Sequence, residues 1–271
     1  CEQCSQYASY AAMARALLSF VAAAPGSRHN HDMASTPRTA RERARAEITQ
    51  EILETARRHL ARDGAAALSL RAVARDCGMV SSAIYRYFPS RDALLTRLII
   101  DAYDSLGAAV EESARASARR GLVPRFVAAG VAVRDWAVAN PHEYALLYGS
   151  PVPGYAAPQD TIVPASRVPA VLITILRDVR TAREAAPSGE RRPVSRALSA
   201  AISPIRAFEG TGVPDDLLLH GMAAWSSMFG AVSFEVFGHL TNVVDDDPAI
   251  RRGYFELLMA DIAQGLGLDG R

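Results

Sequence analysis

The stretch Ser69–Phe88, SLRAVARDCGMVSSAIYRYF, sets what the rest of this chain can be. Ser69 stands at an N-cap position, and Leu70, Val73 and Ala74 give the residues after it one apolar stripe. Gly78 then interrupts the pattern, as a glycine in the left-handed conformation does. The spacing predicts a second short helix over Val80–Phe88. At helical spacing Val80, Ile84 and Phe88 fall within about 80° of one another and are expected to face inward, with Ser81, Ser82, Tyr85 and Arg86 on the opposite side. A helix this short is marginal by itself, so its apolar face must dock on its neighbours and its polar face is left for a ligand. The pattern predicts a helix-turn-helix over residues 69–88.

Around it the chain reads as helices throughout. From Arg41 to Arg62 the positions Ile48, Ile52, Leu53, Ala56 and Leu60 share a face, and Gly64 ends the run. Pro89 and Ser90 stop the second helix of the motif, and a longer one starts near Arg91 with Leu94, Leu95, Leu98, Ile99, Ala102, Tyr103 and Leu106 as its stripe. Gly121–Pro124 marks a boundary before an amphipathic segment from Phe126 to Asn140, and Pro141 opens a short helix through Leu146 and Leu147. Five prolines between Pro151 and Pro169 predict a long, poorly helical connection. Val168–Glu184 resumes a helix, and the run from Pro187 to Pro193 interrupts again. Asp215–Leu240 is apolar on nearly all sides and Asp247–Leu266 follows an acidic turn; such helices must be buried on several faces, near a chain end often against another subunit. No segment has the strand period, so the fold class is all-α.

The charge distribution bears on the partner. The chain has 271 residues, 49% apolar and 22% charged, as a globular protein does, and its cations are all arginine. Residues 34–91 hold 11 Arg against 6 Asp and Glu, whereas residues 92–271 hold 17 against 21. A positive segment beside a mildly negative body suits a nucleic-acid reader, because phosphate contacts supply most non-specific affinity. Cys1, Cys4 and Cys77 make no disulfide framework, and a reducing cytosol is expected. Cys1 and Cys4 have C-x-x-C spacing with His29 and His31 nearby, but the spacing fits no zinc module, so no metal and no cofactor are expected. Residues 16–24 are apolar but too few to span a bilayer, and no membrane partner is expected. Met33 is read as the true start, with residues 1–32 upstream sequence or a weakly packed extension.

From the helix ending in Arg57, Arg58 and Leu60 through Gly64, Leu70, Arg71, Val73, Ala74, Gly78, Ser82, Ile84, Tyr85, Tyr87, Phe88, Arg91, Leu94 and Leu95, the sequence resembles the TetR/AcrR family of bacterial transcriptional regulators. The later segments are similar to its subgroup with a Trp-His-Gly signature near the penultimate helix, through Trp225, Gly230, Glu235, Gly238, His239 and the run from Tyr148 to Pro158. Phe229 stands where that signature has histidine, Tyr87 where histidine is commoner and Arg91 where lysine is commoner. The resemblance implies an extension or arm over residues 1–40, a three-helix DNA-binding domain over 41–106 and a helical ligand-binding and dimerisation domain over 107–271.

It further implies that the helix from Val80 lies in the major groove. Ser69, Arg71, Ser81, Ser82, Ala83, Tyr85, Arg86, Tyr87 and Arg91 are then the DNA-binding residues, with Arg71 the best placed for a guanine, and Arg38–Arg45 an arm toward the minor groove or phosphates. The protein is expected to be a cytoplasmic repressor that reads a palindromic operator as a homodimer formed by the last two helices. A small apolar or aromatic inducer is expected among Tyr103, Phe126, Trp136, Tyr144, Tyr148, Met222, Trp225 and Phe229. An enzyme is disfavoured: G-x-S-x-G, H-E-x-x-H, P-loop and Rossmann glycine patterns are all missing from the sequence. The alternative is a helical interaction protein of the same fold that has lost DNA binding or inducer response.

Overall fold

The computed structural model describes residues 39–185, 194–207, 212–266 and 268. Cys1, Cys4, His29, His31, Met33 and the interruption at 187–193 lie outside the described residues. Among those described, every regular element is helical.

Helix α1 spans Ala40–Asp63. Thr39 starts it with a capping box: its hydroxyl accepts from the Glu42 N–H at 3.2 Å, and the Glu42 carboxylate accepts from the Thr39 N–H at 3.0 Å. The basic residues Arg41, Arg43 and Arg45, expected in an arm, are therefore helical. Their part of the arm is corrected to the first turns of α1; Arg38 lies outside the described residues. Gly64, at φ +77°, ends the helix.

Helix α2 is Leu70–Asp76, buried through Leu70, Val73 and Ala74. Its end is a Schellman arrangement around Gly78 at φ +67°: the Gly78 N–H reaches the Arg75 carbonyl at 3.0 Å and the Met79 N–H the Ala74 carbonyl at 2.8 Å.

The segment after it departs from the expected helix. Residues 81–83 form a turn and only Ile84–Arg86 closes a 3-10 turn. Its bonds are mostly of the tighter kind, Ala83 N–H to Val80 O at 2.8 Å, Arg86 N–H to Ala83 O at 3.2 Å and Tyr87 N–H to Ile84 O at 2.9 Å. Val80 carries no oxygen to cap a helix start, and Pro89 stops the chain nine residues later, so a full α-helix is neither nucleated nor extended. Ile84 and Phe88 are buried as expected, but Val80 is 71% exposed and Ala83 is buried. Without a regular helix the inward stripe shifts from Val80 to Ala83.

Helix α3, Arg91–Ser117, is capped by Ser90, whose hydroxyl accepts from the Ala93 N–H at 3.0 Å. It runs unbroken through Leu106 and Gly107, so one continuous helix joins the region of α1 and α2 to the body. Helices α4 (Leu122–Ala139) and α5 (Pro141–Tyr148) follow. The proline-rich connection is shorter than expected, because α6 starts at Ile162 and continues to Ala185 with Pro169 inside it. Pro164 falls in the first turn, where an N–H has no helical partner anyway, so it costs the helix little. Pro169 gives up one bond, and the burial of Val168, Ile175 and Val179 around it holds the helix together.

Two short helices that the sequence did not suggest, α7 (Arg196–Ala201) and α8 (Ser203–Ala207), precede α9 (Asp215–Val236) and α10 (Pro248–Gly265). The body is α3 packed along α4 and α6, with α9 and α10 against α4. Among the described residues α9 is the one helix long and apolar enough to cross a membrane by length and composition. Its Leu217, Leu218, Ala224, Met228, Phe229 and Val232 are instead buried in the protein core.

Candidate nucleic-acid interface

The reading turn is held by its back. Ile84 and Phe88 join one continuous core with Ile52, Leu53, Ala56, Val73, Ala74, Leu94 and Leu95. Ser81, Ser82 and Arg86 are exposed beside Tyr85, which is 46% exposed. Small hydroxyls, a phenol and a guanidinium on one solvent-facing turn are groups that donate to phosphate oxygens and base edges. Arg71 is exposed at the start of α2 and makes no hydrogen bond or ion pair among the described residues, so its fork is available to a ligand. Ser69 occupies the N-cap position in extended conformation, but its side chain makes no cap bond. Ala83, expected to face a ligand, does not: it belongs to the buried side.

Two arginines have different surroundings from those the sequence suggested. Arg91 donates from Nε to the Leu68 carbonyl at 3.1 Å and from Nη2 to the Ala65 and Ala66 carbonyls at 3.0 and 3.2 Å. It thereby fixes the loop that leads into α2, with Nη1 3.8 Å from Asp92. Arg45 reaches across from α1, donating to the Arg86 carbonyl at 3.0 Å while its guanidinium carbon lies 5.2 Å from the centre of the Tyr87 ring. Tyr87 is half-buried between that cation and the core. Arg45, which the sequence placed in the basic arm, thus packs against the exposed turn. Beneath the surface, His59 Nε2 lies 2.7 Å from Asp76 Oδ2 and ties α1 to the end of α2. This hydrogen bond is the main reason the Asp76 carboxyl is held below its ordinary pKa.

In the body, five of the residues expected around a ligand meet. The Tyr148 ring lies 4.5 Å from Phe229, 5.2 Å from Tyr144 and 6.3 Å from Tyr103, and Phe229 lies 4.4 Å from Trp225. Tyr144 donates to the Phe229 carbonyl at 3.1 Å and shares a 2.8 Å bond with the Ser233 hydroxyl. Burial pushes the Tyr148 hydroxyl well above its ordinary pKa. Phe126 and Trp136 are buried on α4, where the indole N–H donates to Ser105 at 2.9 Å. Met222 departs from the expectation, since it is 42% exposed on the outer side of α9. Glu235 is held by the buried Arg134 of α4, whose Nε donates to it at 2.7 Å. Among the described residues no three His, Cys, Asp or Glu side chains converge on a metal-sized site.

The comparisons with known proteins agree with this arrangement. A family model described as bacterial regulatory proteins, tetR family, matches residues 52–98, which contain the reading turn. A second, described as tetracyclin repressor-like, C-terminal domain, matches residues 126–262. HTH-type transcriptional regulators of Mycobacterium tuberculosis and Mycobacterium bovis are each 38% identical over 241 residues, covering 86% of this chain and all of theirs. A solved structure of a regulatory protein is 32% identical with a TM-score of 0.67, covering 83% of this chain and all of that one. A protein from Rhodococcus sp. RHA1 shares the fold at a TM-score of 0.58 and 24% identity, over 80% of this chain and 94% of its own.

Proposed function

The chain belongs to the TetR family of bacterial transcriptional regulators, and from that premise we propose that it is a repressor that binds a palindromic operator as a homodimer. The observation that carries this reading is the exposed turn of Ser81, Ser82, Tyr85 and Arg86, backed by a buried core and flanked by the free fork of Arg71 and by Arg45. One such unit makes too few contacts for tight specificity, which is the reason to expect two copies on two half-sites. The apolar residues left exposed on the last two helices, among them Phe234 at 56% and Leu257 at 63%, support a dimer formed there.

The aromatic cluster around Tyr148 and Phe229 supports a small apolar or aromatic inducer. An inducer lodged there would push on α3, which carries both Tyr103 in the cluster and Arg91 at the reading unit. Shifting α3 changes the spacing of the two reading turns and lowers operator affinity, by a coupling of about 1–3 kcal/mol in such systems. A cytoplasmic protein follows from that role.

The test is a gel shift on DNA from the region upstream of its own gene, run at two salt concentrations. Affinity that falls steeply with salt and exceeds that for unrelated DNA supports the reading. No binding, or binding indifferent to sequence at both salts, overturns it.

A further inference from the structure

Val80 is 71% exposed although it is a branched apolar residue, and among the described large apolar side chains only Val243, at 75%, is more exposed. Its neighbour Met79 packs on the core, so the chain divides here: Met79 turns in and Val80 turns out. Val80 opens the reading turn, and its carbonyl accepts the first bond of that turn from Ala83. A serine or aspartate at this position would cap the turn and leave no apolar group in water. Valine forgoes the cap and leaves its methyl groups exposed, next in the chain to the exposed Ser81 and Ser82. The major groove offers one apolar substituent, the C5 methyl of thymine, and the other groups that distinguish the base pairs there donate or accept hydrogen bonds.

We infer that Val80 reads a thymine methyl, making it a specificity-determining residue of the operator contact proposed above. The polar residues beside it supply phosphate and base-edge contacts, and Val80 supplies the apolar contact that selects T·A over C·G at one position of each half-site. The inference rests on the regulator reading, and its test separates the two.

The full-length protein is used to enrich its preferred duplex from a random pool. Each thymine of that duplex is then replaced singly by deoxyuridine, which lacks only the C5 methyl. Wild type is expected to lose about fourfold in affinity at one thymine per half-site, the effect of burying a single methyl group. Val80→Ala should bind the thymine and deoxyuridine duplexes equally at that position. Val80→Thr, which keeps a γ-methyl, should still discriminate. Helical circular dichroism of both variants checks that they are folded. Indifference of wild type to deoxyuridine everywhere, or the same loss in wild type and Val80→Ala, overturns the inference while leaving DNA binding intact. A pool from which folded wild type enriches nothing overturns the regulator reading itself.

Discussion

Arg57 of α1 donates from Nε to the Glu143 carboxylate of α5 at 3.0 Å, and its Nη2 reaches Asp101 of α3 at 3.2 Å. One side chain therefore ties the helix that backs the reading turn to two helices of the body. All three side chains are partly shielded, Arg57 at 30% and Glu143 at 19% exposure, so the network is stronger than a fully exposed pair and weaker than a buried one. A double-mutant cycle of Arg57→Ala and Glu143→Ala, followed by urea denaturation, should return a coupling of about 0.5–1 kcal/mol. A coupling indistinguishable from zero would show that the contact does not hold the two parts together.

Arg71 and Arg91 are both arginines of the reading unit, but their partners set different expectations. Arg71→Ala removes a free guanidinium and should relax the preference at one base position by about 1–3 kcal/mol, read from enriched duplexes, with no change in thermal stability. Arg91→Ala strips the hydrogen bonds from three carbonyls of the loop before α2 and should lower the melting temperature first. Loss of stability in Arg71→Ala with its base preference unchanged would reverse these roles.

Much of this was legible in the sequence, for physical reasons that differ by residue. Helical periodicity located the core faces of α1, α2 and α3, because within each of them the buried residues, such as Ile52, Leu53, Ala56 and Leu60 of α1 or Leu94, Leu95, Leu98 and Ile99 of α3, recur at a spacing of three and four. Gly64 and Gly78 marked true ends, since both take positive φ. Periodicity misled at Val80 because it presumes the very helix whose missing cap prevents it. Pro169 misled in the opposite sense: proline weakens a helix locally, and the tertiary burial of Val168 and Ile175 outweighs it. Of the eight residues grouped from the sequence, Tyr103, Tyr144, Tyr148, Trp225 and Phe229 meet, whereas Phe126 and Trp136 are buried on α4 apart from those ring contacts, Phe237 joins Tyr144 unforeseen, and Met222 faces outward, a choice between two sides of an apolar helix that composition does not make. The carbonyl contacts of Arg91 and the reach of Arg45 to Arg86 join residues at least 23 apart, and no local pattern encodes them.

Gly107 lies on the face of α3 that packs against Arg167 of α6. A Cβ added there would come 2.8 Å from the Arg167 Cβ, an atom that cannot swing away. Arg167 donates to Glu111 at 2.7 and 2.8 Å and to Asp104 at 2.9 Å, so a displaced Arg167 loses contacts along two turns of α3. Gly107→Ala should destabilise by about 1–3 kcal/mol in urea despite alanine's better helix propensity. A gain in stability would mean that the two helices separate freely.

The His59–Asp76 bond makes a prediction about acid. His59 is buried, Arg75 lies 3.5 Å from Asp76, and the Arg62–Asp63 pair stands close by. Since the folded-state pKa of Asp76 lies below its unfolded value, the stabilisation is present above the ordinary carboxylate range and is lost as pH falls through the folded value. Asp76→Asn should therefore melt below wild type near neutral pH, and the gap should close as pH falls below the ordinary carboxylate range and through the folded value of Asp76. A gap that stays constant across that range would assign the role to packing instead of charge.

Met222 and Phe234 of α9, Phe237 at its C-cap, and Ile250, Tyr254 and Leu257 of α10 are exposed at 42–63%. Six large apolar side chains on two adjacent helices are more than an isolated monomer keeps in water, and a second copy would remove them together. Leu257, the most exposed of the six, contributes nothing to the core of its own chain, so Leu257→Asp should leave the fold intact while placing a charge in the proposed interface. Sedimentation velocity should show wild type as a dimer and the variant as a monomer with the same helical circular dichroism. Operator affinity should fall in parallel, because one reading turn then reaches only one half-site. A variant that remains dimeric would move the interface away from these helices.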